Sequence, residues 1–253
     1  MRVALPHISY PRMKKAASSP RLLYGIIAFL SLIGVVIVVR RMLTLIPVLI
    51  NGYHPPVVNN SFTQMDDIFA HYPLLSLVHI IPGLIFVLTG PFQFIQSVRT
   101  RYPRWHRLSG RLFLICGMVI GTTALIMSFV VPAIGGANQV AATVLFSLFF
   151  LYALFKAFQQ VRQHQLAQHR EWAIRAYAIG MAITTIRIIN GIFFATSRFT
   201  GLTPKEFFGI GFWIGFVLHL IAAEYWIGRS RLVKTKSAVN ALTNDPFIKF
   251  MHQ

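Results

Sequence analysis

The sequence predicts an all-α protein, a polytopic transmembrane bundle of about six spans. Three observations carry that expectation. Hydrophobic residues make up 55% of the 253 positions, charged residues only 12%, and the mean hydropathy is +0.62. A soluble domain carries roughly 25% charged residues, so this chain cannot coat a water-facing surface of its own. Second, six stretches approach the ~20 mostly apolar residues that a transmembrane helix needs. Third, Lys and Arg gather in clusters between those stretches, as in loops that flank a membrane.

The spans follow in order. Leu22 to Val39 is free of charge, and Leu74 to Val98 and Leu112 to Val131 follow it. Val140 to Phe158 holds only Lys156, near its end. Trp172 to Thr196 contains Arg175 and Arg187, and Phe207 to Ile227 contains His219 and Glu224. The run Val131-Pro132-Ala133-Ile134-Gly135-Gly136 reads as a tight turn, which makes the third and fourth spans antiparallel neighbours. The longest connection, Met42 to Pro73, is too long for a simple turn and is expected to fold over the outer mouth of the bundle. Gly117-x-x-x-Gly121 and Gly211-x-x-x-Gly215 fit either close helix approach or ordinary membrane glycine content.

The expected organisation is a basic tail over 1–21, a six-helix domain over 22–230 with an outer loop at 43–73, and a tail over 231–253. The first span is preceded by Arg2, Arg12, Lys14, Lys15 and Arg21 and followed by Arg40-Arg41, with no small-residue cleavage site between. It reads as an uncleaved anchor. Of the 24 Lys and Arg, all but Arg40, Arg41, Arg198, Lys205 and the intramembrane Arg187 fall on one side of a six-span topology. The positive-inside rule then puts both termini in the cytoplasm. A bacterial inner membrane is the expected location, with anionic lipid at the cytoplasmic face. Arg40-Arg41 is the exception to the bias, placed at the outer headgroups or on an extension of the first helix towards Pro47.

The net charge of +18 has nucleic acid as its other common reading. The clustering between apolar runs argues against it, and no nucleic-acid partner is expected. The single cysteine, Cys116, gives no disulfide and no thiolate metal cluster. There is no G-x-S-x-G, H-E-x-x-H, P-loop or dinucleotide fingerprint.

Ionisable groups within lipid are costly, so each needs a reason. At ~1.5 Å per residue, His79 lies about 8 Å below the outer surface and Arg187 roughly 22 Å up from the inner one. His79, Arg187 and Asn190, one turn on from Arg187, fit one outer-facing polar pocket. The alternative is an Arg187 that snorkels outward or bonds a carbonyl. His219 lies near the midplane, as a ligand, a proton relay or a hydrogen-bonded core histidine. Glu224 reads as an interface residue. His54, His71, Asp66 and Asp67 read as exposed loop residues, or as a weak outer metal site.

A second cluster lies at the inner surface. His106 opens the third span among Trp105, Arg107 and Arg111, and His169 opens the fifth with Trp172 and Arg175 on a similar face. Two histidines at equal depth fit a b-type haem or a metal ion, with His106 and His169 as ligands. Arg107, Arg111 and Arg175 would then balance haem propionates, a quinone headgroup or lipid phosphate. The alternative is interfacial anchoring by Trp and Arg.

The motifs Leu77-Val78-His79, Thr89-Gly90-Pro91-Phe92-Gln93-Phe94, Arg104-Trp105-His106-Arg107-Leu108-Ser109-Gly110-Arg111 and His169-Arg170-Glu171-Trp172-Ala173-Ile174-Arg175 carry a resemblance. The chain resembles a family of bacterial predicted membrane proteins, domain of unknown function 2306, over about Leu74 to Arg198. The resemblance implies a helical membrane fold and no particular chemistry. A looser similarity is to multi-helix b-type cytochromes and ferric reductases. Those often place two His about 13 residues apart on one helix, and no span here does so.

Three functions stay open on the sequence. The first is a redox protein that holds haem or quinone between helices. The second is a transporter or binding protein with a polar intramembrane pocket. The third is a structural partner in a membrane complex. No enzymatic reaction and no oligomeric state is legible.

Overall fold

The computed structural model describes residues 20–53 and 61–243. Among them are eight α-helices: α1 (Pro20–Asn51), α2 (Ser61–Ala70), α3 (Pro73–Phe94), α4 (Gln96–Arg101), α5 (Pro103–Val130), α6 (Gly136–Arg162), α7 (Leu166–Thr200) and α8 (Pro204–Thr243). Six of them (α1, α3, α5, α6, α7 and α8) are long and apolar enough to cross a membrane. His54 and the basic residues Arg2, Arg12, Lys14, Lys15 and Lys249 lie outside the described residues.

The spans alternate in direction, so the bundle has two ends. One carries α2 and the α5–α6 turn, and the other carries α4 and the first turns of α5 and α7. α3 packs along α5, α5 on α6, α6 on α7 and α7 on α8, while α8 returns to touch α6 and α1 lies against α3. Apolar side chains around the outside, such as Phe29, Leu43, Ile115 and Phe129, are exposed and face lipid in a membrane.

Chain breaks follow local chemistry. Ile95 and Tyr102 leave helical backbone, and Pro73 and Pro103 start α3 and α5 at positions where a missing N–H costs nothing. Gly201 ends α7 at φ 69°, the left-handed cap that glycine adopts without strain.

The structure changes the reading of the first span. α1 does not stop near Val39; it runs through Arg40, Arg41 and the internal Pro47 to Asn51. The expected loop from Met42 is therefore mostly helix, since α2 fills Ser61 to Ala70. Apolar residues on both sides of the Arg pair keep the helix going, and the pair itself meets an acidic partner.

Glycine lets the helices approach. A Cβ on Gly117 or Gly121 would come within 2.8 Å of Leu154 or 2.6 Å of Leu151 on α6. One on Gly211 or Gly215 would meet Asn190 or Ile186 on α7 at 2.0 or 2.3 Å. Both glycine pairs thus sit at helix interfaces. The core between them is aromatic: Phe86 stacks on Phe113 at 4.4 Å, and Phe146 stacks on Phe216 at 4.6 Å.

Candidate functional site

A cavity of about 300 Å³ runs into the bundle from the α2 end. All six spanning helices line it, together with α2 and the α5–α6 turn. Its depth is mainly apolar, walled by Phe86, Phe146, Phe150, Phe212 and Phe216, with Ser147 and Thr184 also in the lining. Its polar lining gathers near α2, where Arg41 of α1, His79 of α3 and Arg187 of α7 contribute to one wall.

Arg187 is a cation with little to hold it. Its Nη1 reaches the Met65 sulfur at 3.9 Å, a weak acceptor. No carboxylate among the described residues forms an ion pair with it. Arg41 is close enough for the two positive charges to repel. Arg187 also acts electrostatically on His79. His79 Nδ1 lies 2.8 Å from Thr123 Oγ1, whose hydroxyl donates back to the Val119 carbonyl at 2.7 Å. The hydroxyl proton is used there, so His79 Nδ1–H donates to Thr123 and Nε2 is left as an acceptor.

Sequence reasoning missed Arg41, Met65 and Asp66 as members of this site. Arg40 grips Asp66 with both amino groups, Nη2 to Oδ2 at 2.6 Å and Nη1 to Oδ1 at 3.1 Å. Arg41 Nη1 donates to Asp66 Oδ1 at 2.5 Å and to the Met65 carbonyl at 3.4 Å. The Arg41 guanidinium also stacks 4.6 Å over the Phe69 ring. The signal was present in Arg40-Arg41, basic residues on the side where charge bias expects none, and in the acidic pair Asp66-Asp67.

The other expected members of the pocket lie elsewhere. Asn190 is only 3% exposed, faces Gly211 of α8 and does not line the cavity. Its side-chain amide is buried without a hydrogen-bond partner. His219 also lies outside the lining; its Nε2 is 2.8 Å from Thr185 Oγ1, a link between α7 and α8. Asn190 stands about 60° around α7 from Arg187, and at its level the helix meets Gly211 of α8.

At the α4 end, His106 and His169 are near enough to interact electrostatically, and Arg99 and Arg107 act on His106 as well. His169 Nδ1–H donates to the Ala157 carbonyl at 2.7 Å, which turns Nε2 away from α6. His106 Nδ1 is buried without a partner. Arg107 and Arg111 are exposed. Trp172 and Arg175 belong to packing: Trp172 meets the Tyr152 ring edge-on at 5.4 Å, and Arg175 lies 4.5 Å over Trp172. Arg175 also pairs with Glu224 through two bonds of 2.5 and 2.9 Å. Glu224 is thus the counter-ion of Arg175, as Glu171 is of Arg231. Asp67 bonds the Tyr53 phenol, which holds that proton and pushes the Tyr53 pKa up. No group of three or more His, Cys, Asp or Glu among the described residues is placed to hold a metal ion.

Chemically, the cavity end offers guanidinium donors and an imidazole acceptor above a mainly apolar shaft. No curated protein and no solved structure matches the chain. One family model does, over residues 76–227, more than half of the chain and the part that holds His79, His106, His169, Arg187 and His219. The chain therefore belongs to the family of predicted membrane proteins, DUF2306.

Proposed function

We propose that this membrane protein binds a small amphipathic anion, with its acidic head at Arg41 and Arg187 and its apolar body in the shaft. The observation that carries the reading is charge. Two guanidiniums that repel one another line the same cavity, and Arg187 has no carboxylate partner among the described residues. A cation at membrane depth without a counter-ion marks a functional site by default. The volume, about 300 Å³, stands at the small end of ligand pockets, which run from ~300 to ~1,000 Å³. Seven residues separate Arg187 from Gly180 and His79 from Phe86, so the apolar shaft runs about 10 Å at ~1.5 Å per residue. That length suits a short acyl chain or a compact ring system.

The reading covers both a binding protein and a transporter. It carries the topology of the charge bias with it: both termini cytoplasmic, in a bacterial inner membrane, and the exposed arginines of α4 and α5 against anionic lipid. The test uses three probes of one tail length on the purified full chain: decanoate, decanol and decyltrimethylammonium. Decanoate binds in preference, and Arg187→Leu loses that preference while the protein still inserts and melts cooperatively. Equal binding of the cation, or an unaltered decanoate affinity in Arg187→Leu, refutes the reading.

A second reading rests on His169, oriented by the Ala157 carbonyl as metal-bound histidines are. It is a redox role, with a b-type haem or a metal ion held by His106 and His169. His106 fits less well, because its Nδ1 has no orienting acceptor. A Soret band in protein expressed with ample haem, abolished by His169→Ala, supports it; a featureless visible spectrum sinks it.

A further inference from the structure

Resting on the amphipathic-anion reading, the geometry points to Met65-Asp66 of α2 as a built-in mimic of the ligand, which the ligand displaces when it binds. We infer that α2 is a self-supplied plug, and that the ligand's head is a carboxylate.

Both cations of the site are met by this one dipeptide. The Asp66 carboxylate takes Arg40 in a two-bond grip and shares Oδ1 with Arg41. The Met65 sulfur takes Arg187, and the Met65 carbonyl takes Arg41. The Met65 side chain is 7% exposed and packs within the same aromatic core that walls the shaft. An apolar chain beside a carboxylate is the chemistry proposed for the ligand, and here the carboxylate reaches Arg41 while the apolar chain reaches Arg187. A carboxylate fits because guanidinium and carboxylate match in a planar fork, as Arg40 and Asp66 already do.

The seating is incomplete, which is what makes it exchangeable. Thioether sulfur is a weak acceptor, so Arg187 keeps most of its unmet demand. The Asp66 side chain is 16% exposed, and Arg40 is 51% exposed, so water reaches the grip. Asp66 lies on a ten-residue helix that packs against α1 and α3 at the mouth rather than between the spans. A free carboxylate reaching Arg187 and Arg41 together would satisfy both better than the plug does. Asp66 would then keep Arg40 alone, and α2 would lift from the mouth.

The experiment measures decanoate affinity for the full chain in nanodiscs, in wild type, Asp66→Asn and Met65→Ala. Removing the internal competitor raises the affinity, about tenfold for Asp66→Asn and by a smaller factor for Met65→Ala. A second readout uses Cys116→Ser with Ile68→Cys, a cavity-lining position on α2. Its labelling by a membrane-impermeant maleimide rises several-fold when decanoate saturates the protein, and rises without decanoate in Asp66→Asn. Decanoate that binds wild type with an affinity neither substitution raises, or with no change in labelling, overturns the plug and leaves the proposed function standing. Decanoate that binds none of the three proteins overturns both.

Discussion

Gly90→Ala tests the packing that shapes the bundle around the site. Gly90 lies on α3 beneath the ring of Tyr177 on α7. A Cβ there would stand 2.0 Å from Tyr177 Cε2 and 2.5 Å from Cδ2. Carbon atoms in contact sit ~3.5–4.0 Å apart, so the ring must retreat by about 1.5 Å or more. It has nowhere free to go. Tyr177 is 5% exposed, with the rings of Phe94, Phe86 and Phe113 centred 5.4, 6.0 and 6.2 Å away. Overpacking a filled core costs about 1–3 kcal/mol, and a clash with a boxed-in ring belongs at the upper end. At ~2–4 °C per kcal/mol for a chain of this size, the midpoint falls by about 6–12 °C. Cys116 supplies the assay, since it is the only cysteine and is buried. A thiol-reactive dye then reports unfolding directly. Gly191→Ala is the matched control, because a Cβ there meets nothing within 4 Å; it stays level or gains up to ~1 kcal/mol of helix propensity. A Gly90→Ala protein that melts within about 2 °C of wild type refutes the reasoning.

Two further outcomes follow from the polar contacts. Glu224→Gln strips the anion from Arg175, whose side chain is only 14% exposed. Because the Glu224 side chain is half exposed, the loss is about 1 kcal/mol, towards the screened end for such pairs; a melting curve unchanged from wild type would show that the Trp172 stack alone holds Arg175. At the other end, the Tyr53 phenol has its pKa raised by the bond to Asp67. A raised pKa means that the contribution to folding is whole below the usual tyrosine value and is lost as pH climbs through the raised one. A tyrosinate titration of wild type against Tyr53→Phe isolates that phenol, and Asp67→Asn returns it to the usual range. A Tyr53 that already titrates at the usual value removes the contact.

The spans were legible because lipid imposes one rule on every residue of a helix, and hydropathy reads it directly. Their ends were less so. Arg40-Arg41 left open where the first helix ends; α1 runs on through the pair, and Asp66, twenty-five residues beyond Arg41, bonds both and offsets one of the two charges. No local pattern carries such a contact. Counting at 1.5 Å per residue put His79 and Arg187 towards the same end of the bundle, and both line the cavity. The facing of Asn190 was not readable, since a helix turns ~100° per residue and one turn of three residues leaves a ~60° error. Gly90 stood in a motif that carried only the family resemblance. Its physical role needs Tyr177, 87 positions away and visible only once α3 and α7 lie together.

The charge asymmetry between the two ends bears on function more than composition does. At the α4 end, the buried-side cation Arg175 has its own glutamate, and the exposed arginines face water and headgroups. At the α2 end, Arg40 and Arg41 share one carboxylate and Arg187 has only the Met65 sulfur. Fold stability alone gives no reason for the excess, because a neutral side chain in place of Arg187 would spare the desolvation of an unpaired charge. On the proposed reading, an anion that enters the cavity supplies the charge that Arg187 lacks. The apolar walls favour an amphipathic anion over a bare, strongly hydrated inorganic ion on that reading. The division of the chain is consistent with this. The cavity's His79 and Arg187 lie within the segment shared with the family, whereas Arg41, Met65 and Asp66 lie before it. On the proposed reading, Arg187 of the anion's receptor lies in the family segment, while Arg41 and the competing plug are supplied by the preceding helices. Substitutions at Arg187 should remove the preference for the anion, while those at Asp66 should only shift its affinity.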